Sequence, residues 1–410
     1  MSNSNPDNRR VVVTGLGVVS SLGIGWQEFW KNLLAGKSGI SKITAFDTSP
    51  YNRHYGGEVK NFDPTQFMSR KKAERLGRAS QMAIAASKLA LKDSYLIFKD
   101  VNGSKSGVCI GTTMGEPQIM ERVDERSFRK GHKLEYDFNS SMSYPASSIA
   151  NHVANYLKLE AMNTIFSTAC SSGNYAIARA CDLIKFGKCD FMLAGGSDAL
   201  SRIAFTGFGR LYAMAPQKCC PFDKNREGMI LGEGAAMVCL ESLESAQRRG
   251  VKIYAEILGH GLSCDAYHMS EPKVNGIVKA LNKALINSSI QLEEIDYISA
   301  HGTGTVENDE AECKAINLVF GKRTKYIPVS SIKSMLGHTM GVASVFGAIA
   351  CCLAIRDGKI PPTINYEKND PKCKIDCVPN NGRRHMVKIA LNNSQAFGGN
   401  NACLVLGSNL

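Results

Sequence analysis

A chain of 410 residues with 44% hydrophobic content and a formal charge of +12 has room for one large α/β unit or two fused halves. The charge points to an acidic partner but not to nucleic acid, because no lysine/arginine tract is interleaved with aromatic residues and no zinc-knuckle spacing occurs. The fourteen cysteines form no Cys-x-x-Cys pair, which argues against a metal site; with no apolar signal core after Met1, they read as reduced thiols of a cytoplasmic protein.

From the amino end, Val11-Val12-Val13-Thr14 predicts a short strand ending at Gly15-Leu16-Gly17. The third glycine of a dinucleotide fingerprint is missing there, so a tight turn is expected. Helical spacing over 80–91 follows, then a short buried strand at Val108-Cys109-Ile110. At Ser167-Thr168-Ala169-Cys170-Ser171-Ser172-Gly173 an apolar run gives way to a helix of small, weakly polar residues, suited to burial between layers. Further strands are predicted at 191–194 and 253–258, and Tyr297-Ile298-Ser299-Ala300 leads straight into His301-Gly302-Thr303-Gly304-Thr305. Lys333-Ser334-Met335-Leu336-Gly337-His338 precedes the apolar run from Val342 to Ile355. That run falls short of the roughly 20 residues of a membrane span and reads as a core helix. A last strand, 387–391, comes before Ala396-Phe397-Gly398-Gly399.

Strands alternating with long helices predict an α/β fold with parallel pairing and both sheet faces covered. There is also an internal echo. The helix after Cys170 ends at Gly187-Lys188 and the helix after His338 at Gly358-Lys359, each expected to begin at a candidate catalytic residue. Two related halves, 1–258 and 259–410, arranged in five layers as α/β/α/β/α, are the expectation.

The chemistry rests on three side chains. A helix start favours negative charge, which gives Cys170 the thiolate character a nucleophile needs. His301 sits at the carboxyl end of a strand, where α/β sheets bind ligands, and His338 heads a second small-residue helix. One base suffices for acyl transfer; two imidazole N–H donors suit an enolate oxygen, as formed when a malonyl thioester loses carbon dioxide. Lys333 is placed to orient or balance charge, and Asp309 and Glu312 are either its counter-charges or exposed helix carboxylates. The N–H of Phe397 can pair with that of Cys170 as an oxyanion hole.

These motifs resemble the β-ketoacyl-acyl-carrier-protein synthases of the synthase II type, in the thiolase superfamily. The likeness runs from Val11-Val12-Val13-Thr14-Gly15 through Pro221-Phe222-Asp223, Arg226, Gly232-Glu233-Gly234 and Asp265-Ala266-Tyr267-His268-Met269. It continues through the His301 and His338 motifs and Pro361-Pro362-Thr363-Ile364-Asn365 to Phe397-Gly398-Gly399. The resemblance implies a thiolase fold, a homodimer, no metal or organic cofactor, and an acyl carrier protein delivering acyl and malonyl groups. It implies that Cys170 takes the acyl chain, that Thr303 and Thr305 hold the phosphopantetheine arm, that Met114 lines the acyl pocket and that Phe397 gates it. Lys71 and Arg75 fall in a segment resembling the carrier-docking surface, or belong to a solvated basic helix.

The chain departs from that pattern in places. Gly347 stands where the family usually has a glutamate beside the lysine, Met229 replaces an aromatic residue, and Gln395-Ala396 replaces Phe-Gly before Phe397. An altered pocket follows, so a specialised ketosynthase of a polyketide or unusual-lipid pathway, alone or paired with a second subunit, stands beside fatty-acid elongation. Retention of Cys170, His301 and His338 argues against a silent chain-length partner, and a thiolase's second active-site cysteine is not apparent.

Overall fold

The computed structural model describes residues 9–96, 105–131 and 138–408. Ten strands form the path of an eleven-stranded main sheet, the short strand Gly23–Ile24 pairing with the first of them beside that path: β1 (Val11–Ser20), β2 (Ser106–Gly111), β3 (Asn163–Phe166), β4 (Phe191–Asp198), β5 (Gly234–Ser242), β6 (Ala255–Cys264), β7 (Tyr297–Ser299), β8 (Val329–Ser330), β9 (Ile389–Ser394) and β10 (Asn400–Gly407). Their spatial order is β3-β2-β4-β5-β1, then β6-β10-β9-β7-β8. Among the described residues the two sets pair only where Val12 faces Glu256 and Val13 faces Ala255. Numbered within its own set and read outward to inward, each has the same strand order. Residue 258 lies inside β6, the strand that opens the second set.

Pairing is mixed, which corrects the all-parallel expectation. β2 runs parallel to β3 and β4, and β7 to β8 and β9. The remaining contacts along the path, β1 with β5, β1 with β6, β4 with β5, β9 with β10 and β10 with β6, are antiparallel. The cause is local. Only five residues, 395–399, separate β9 from β10, too few for a helical crossover, so the chain turns back on itself.

β1 also differs from its prediction, because it continues through Gly15 and Gly17 to Ser20. Those glycines make no turn. A Cβ on Gly17 would stand 1.8 Å from the Ala86 carbonyl oxygen, and one on Gly15 2.3 Å from that of Ala90. They let helix α1 (Arg78–Asp93) lie directly on the strand.

Five layers result. α1 and α2 (Ser147–Leu157) cover the outer face of the first strand set, while α4 (Val274–Ser288) and α5 (Val306–Phe320) cover that of the second. Between the sets lie α3 (Ser172–Lys185) and α6 (Ala343–Asp357), packed on each other. Ala176, Ala180, Val345 and Ala348 belong to that central core, their small volumes allowing two helices and two sheets to approach closely. Met340–Asp357 is apolar and long enough to cross a membrane by composition, yet it lies mostly buried inside the chain.

Candidate active site

The backbone turns sharply before Cys170. Ala169 has φ 48°, a left-handed conformation costing an alanine about 1 kcal/mol or more, and Cys170 follows in a single 3-10 turn before α3 begins at Ser172. The Ser171 and Ser172 hydroxyls close the turn by donating to the carbonyls of Thr168 and Ala169 at 2.9 and 2.6 Å. Ser394 ties β9 to it by donating to the Cys170 carbonyl at 3.2 Å.

The second half repeats this turn: Met340 has φ 54°, Met340–Val342 form a 3-10 turn, and α6 starts at Ala343. The position matching Cys170 is therefore Gly341. His338 lies three residues upstream of it, so only the first central helix starts directly beside a candidate catalytic residue.

Cys170 is buried, and burial pushes its thiol up to about 12. The Lys333 charge and the N–H groups of Phe397 and Cys170 pull it down, and the start of α3 adds to that pull. The resting group is thus a thiol, not the standing thiolate expected, because desolvation outweighs the helix terminus.

His301 and His338 meet edge to face, with ring centroids 5.4 Å apart and planes at 85°. Burial holds both imidazoles well below their ordinary pKa, helped by the Lys333 charge, so both are neutral. Nδ1 of His338 accepts the Met340 N–H at 3.2 Å, which assigns its proton to Nε2. A neutral N–H donor is the form that stabilises a developing oxyanion without protonating it first.

The His301 loop is gripped from both sides. Lys333 Nζ donates to the His301 carbonyl at 2.5 Å, while Glu312 accepts the His301 and Gly302 N–H groups at 2.8 and 2.7 Å. Asn393 adds a third donor to Glu312 at 2.8 Å. Asp309 accepts the Phe222 N–H at 2.8 Å and stands 3.7 Å from Arg226. Both carboxylates are fully buried, which settles the alternative left open in the sequence: neither faces solvent. Burial lifts Glu312 to about 7 and raises Asp309, against the hydrogen bonds that favour their anions. A side chain at Gly347 has no room, since its Cβ would lie 2.3 Å from Asn392 Oδ1. Among the charges opposing the desolvation of Lys333, Glu312 is the largest, so the counter-charge comes from α5 and not from α6.

Cys170, His301, His338, Thr303, Thr305 and Phe397 line one cavity of about 460 Å³. Thr303 and Thr305 pair through their hydroxyls at 2.9 Å, and the Phe397 ring packs on Phe208 with centroids 5.7 Å apart. Met229 and Gln395 also reach the cavity. Met114 does not; it packs in the neighbouring apolar cluster with Phe205 and Met229, its N–H held by Asp198 at 2.9 Å. Lys71 and Arg75 lie exposed on and just after the helix Arg70–Ala73, away from this cavity and without an ion pair among the described residues.

The sequence reading missed Asp198. Its carboxylate accepts the Thr112 hydroxyl at 2.8 Å and the Thr113 and Met114 N–H groups from one half, and the Gly341 N–H at 2.7 Å from the other. It thereby ties the Thr112–Met114 segment of the first half to the Met340–Val342 turn of the second, and burial lifts it to about 6. Its signal was a carboxylate at the carboxyl end of the strand through Gly195-Gly196.

With this geometry in place, residues 8–246 match the family described as Beta-ketoacyl synthase, N-terminal domain, and residues 254–367 its C-terminal domain. The chain is 39% identical over 410 residues, covering 98% of both proteins, to "3-oxoacyl-[acyl-carrier-protein] synthase 2" of Synechocystis sp. (strain ATCC 27184 / PCC 6803 / Kazusa). It superimposes with TM-score 0.95 and 43% identity on "The ishigamide ketosynthase/chain length factor", covering 98% of this chain and 100% of that one. A further match, with TM-score 0.90 and 34% identity over 98% and 99% of the chains, is a type II PKS acyl-carrier protein in complex with its ketosynthase bound to the hexaketide. Sulfur, imidazole pair and thiolase-like layers thus agree with whole-length sequence likeness: the chain belongs to the β-ketoacyl synthase family, an acyl-transferring group of condensing enzymes.

Proposed function

We propose that this chain condenses an acyl group with malonyl-acyl carrier protein to give 3-oxoacyl-acyl carrier protein. The observation that carries this reading is the shared cavity: one sulfur and two neutral imidazoles line the same space. Cys170 sulfur attacks the acyl thioester, the tetrahedral oxyanion rests on the N–H groups of Cys170 and Phe397, and the carrier thiol leaves with the proton. The malonyl thioester then enters past Thr303 and Thr305. Its carboxyl C–C bond breaks, carbon dioxide departs, and the electron pair becomes an enolate whose oxygen receives N–H donation from His301 and His338. The enolate carbon attacks the acyl-cysteine, the C–S bond breaks to release Cys170 as a thiolate, and a proton taken up from solvent restores its thiol. Every group in this sequence comes from the chain or its two carrier-bound substrates, so it calls on no metal or organic cofactor. Met114, packed against Met229 at the edge of the cavity, is the residue we assign to the far end of the acyl pocket. The exposed Lys71 and Arg75 are assigned to carrier docking.

Two related halves, each carrying one copy of the strand order and of the Ala169/Met340 turn, make up the enzyme in this reading. The edge strand β3 ends the sheet, and a second copy of the chain, or a related subunit, is proposed to pair there. All fourteen cysteines are free thiols, in keeping with a cytoplasmic setting.

Fatty-acid elongation is the first pathway reading, supported by the Synechocystis relative. A second, a specialised ketosynthase working with a partner subunit, is supported by the 43% identity to the ketosynthase/chain length factor structure. Incubation with malonyl carrier and acyl carriers of graded length tests both. One carbon dioxide released per 3-oxoacyl product is expected, and no product with any acyl length would refute the reaction. Saturated chains extended by the chain alone favour elongation; activity only with an added subunit favours the second reading.

A further inference from the structure

Gln395 is 3% exposed, and neither its amide oxygen nor its amide nitrogen has a hydrogen-bond partner among the described residues. It nevertheless lines the cavity that holds Cys170, His301 and His338. Burying such a group unpaired is costly, and an apolar side chain would fill the position without that cost.

The strand leading to it says which part of the cavity it serves. Side chains alternate along β9: Asn392 reaches Asn174 on the nucleophile's helix at 2.8 Å, and Ser394 reaches the Cys170 carbonyl at 3.2 Å. Asn393, between them, points the other way, to the Glu312 carboxylate that holds the His301 backbone. The backbone stays extended at Ala396 (φ −145°, ψ 153°), so Gln395 falls on the Asn393 side, toward His301. In the reaction proposed above that side receives the malonyl group.

We propose that Gln395 binds the malonyl carboxylate, its amide N–H donating to a carboxylate oxygen while His301 and His338 address the thioester oxygen. The inference rests on the condensing reading of the site. Two points held at once fix the torsion about the bond to be broken, so Gln395 selects for a carboxylated extender and orients it. It plays no part in loading Cys170.

The test uses the enzyme as it assembles in solution, with malonyl carrier and, separately, an acyl carrier. Gln395→Leu keeps the volume and removes the donor; Gln395→Glu adds a like charge. Expected are a rise of about tenfold or more in KM for malonyl carrier with Gln395→Leu, a larger rise with Gln395→Glu, and Cys170 acylation within about twofold of wild type in both. An unchanged malonyl KM in both variants overturns the proposal, and so does an acylation rate that falls in parallel. Wild-type enzyme that acylates but releases no carbon dioxide from malonyl carrier sinks the condensing reading itself, a result distinct from either.

Discussion

His301 and His338 come from different loops of the second half, yet their rings stand edge to face at 5.4 Å, and the Lys333 charge acts on both. Two imidazoles this close inside a protein cannot both be protonated without large mutual repulsion, and burial already favours their neutral forms. Because both pKa values are lowered, the neutral state persists as pH falls through 6.5. Histidine-ring NMR, assigned with His301→Asn and His338→Asn, should show neither ring gaining a proton between pH 7.5 and 6. A midpoint at or above 6.5 for either ring would contradict the donor role.

Lys333 and Glu312 hold the His301 loop through its carbonyl and its N–H groups. Glu312→Ala leaves three buried donors unpaired and should cost about 3 kcal/mol in urea denaturation. Lys333→Met keeps the stem and removes the donor. It should lower malonyl decarboxylation about tenfold or more while the protein stays folded. Equal stability and activity in both variants would show that the loop holds itself.

Gly17 carries the weight of α1 on β1. A Cβ there meets the Ala86 carbonyl at 1.8 Å, so Gly17→Ala should destabilise the fold by about 3 kcal/mol or yield insoluble protein. A thermal midpoint unchanged from wild type would mean that helix and strand separate at little cost.

Lys71 and Arg75 lie outside the cavity, so reversing their charge leaves the chemistry untouched. Lys71→Glu combined with Arg75→Glu should weaken acyl-carrier binding about tenfold at low ionic strength, with the difference shrinking as salt is added. Affinity equal to wild type at low salt would remove this surface from the docking site.

Much of this site was legible in the sequence because its chemistry is local: a cysteine entering a small-residue helix, and two histidines entering glycine-rich loops, carry their context within a few residues. What was hidden depends on contacts across the chain. Gly15 and Gly17 read as a turn because the helix that needs their missing side chains lies some seventy residues away, at Ala86 and Ala90. Asp198 looked unremarkable until Thr112 and Gly341, from opposite halves, were seen to share its carboxylate. The direction of β10 followed from a short connection, which the alternation of strands and helices does not encode. The state of Cys170 was misread for a related reason: position at a helix start is visible in the sequence, whereas the depth of burial that opposes it is not.

The central claim, that Cys170 loads the acyl chain while His301 and His338 act on the malonyl half, is tested most directly by two readouts on the same samples. Wild type, His301→Ala and His338→Ala are mixed with acyl carrier and followed by intact mass, then with malonyl carrier and followed by carbon dioxide release. The account predicts acyl adducts on Cys170 in all three, with decarboxylation reduced about 100-fold or more in each histidine variant. Undiminished carbon dioxide release from both histidine variants would contradict it.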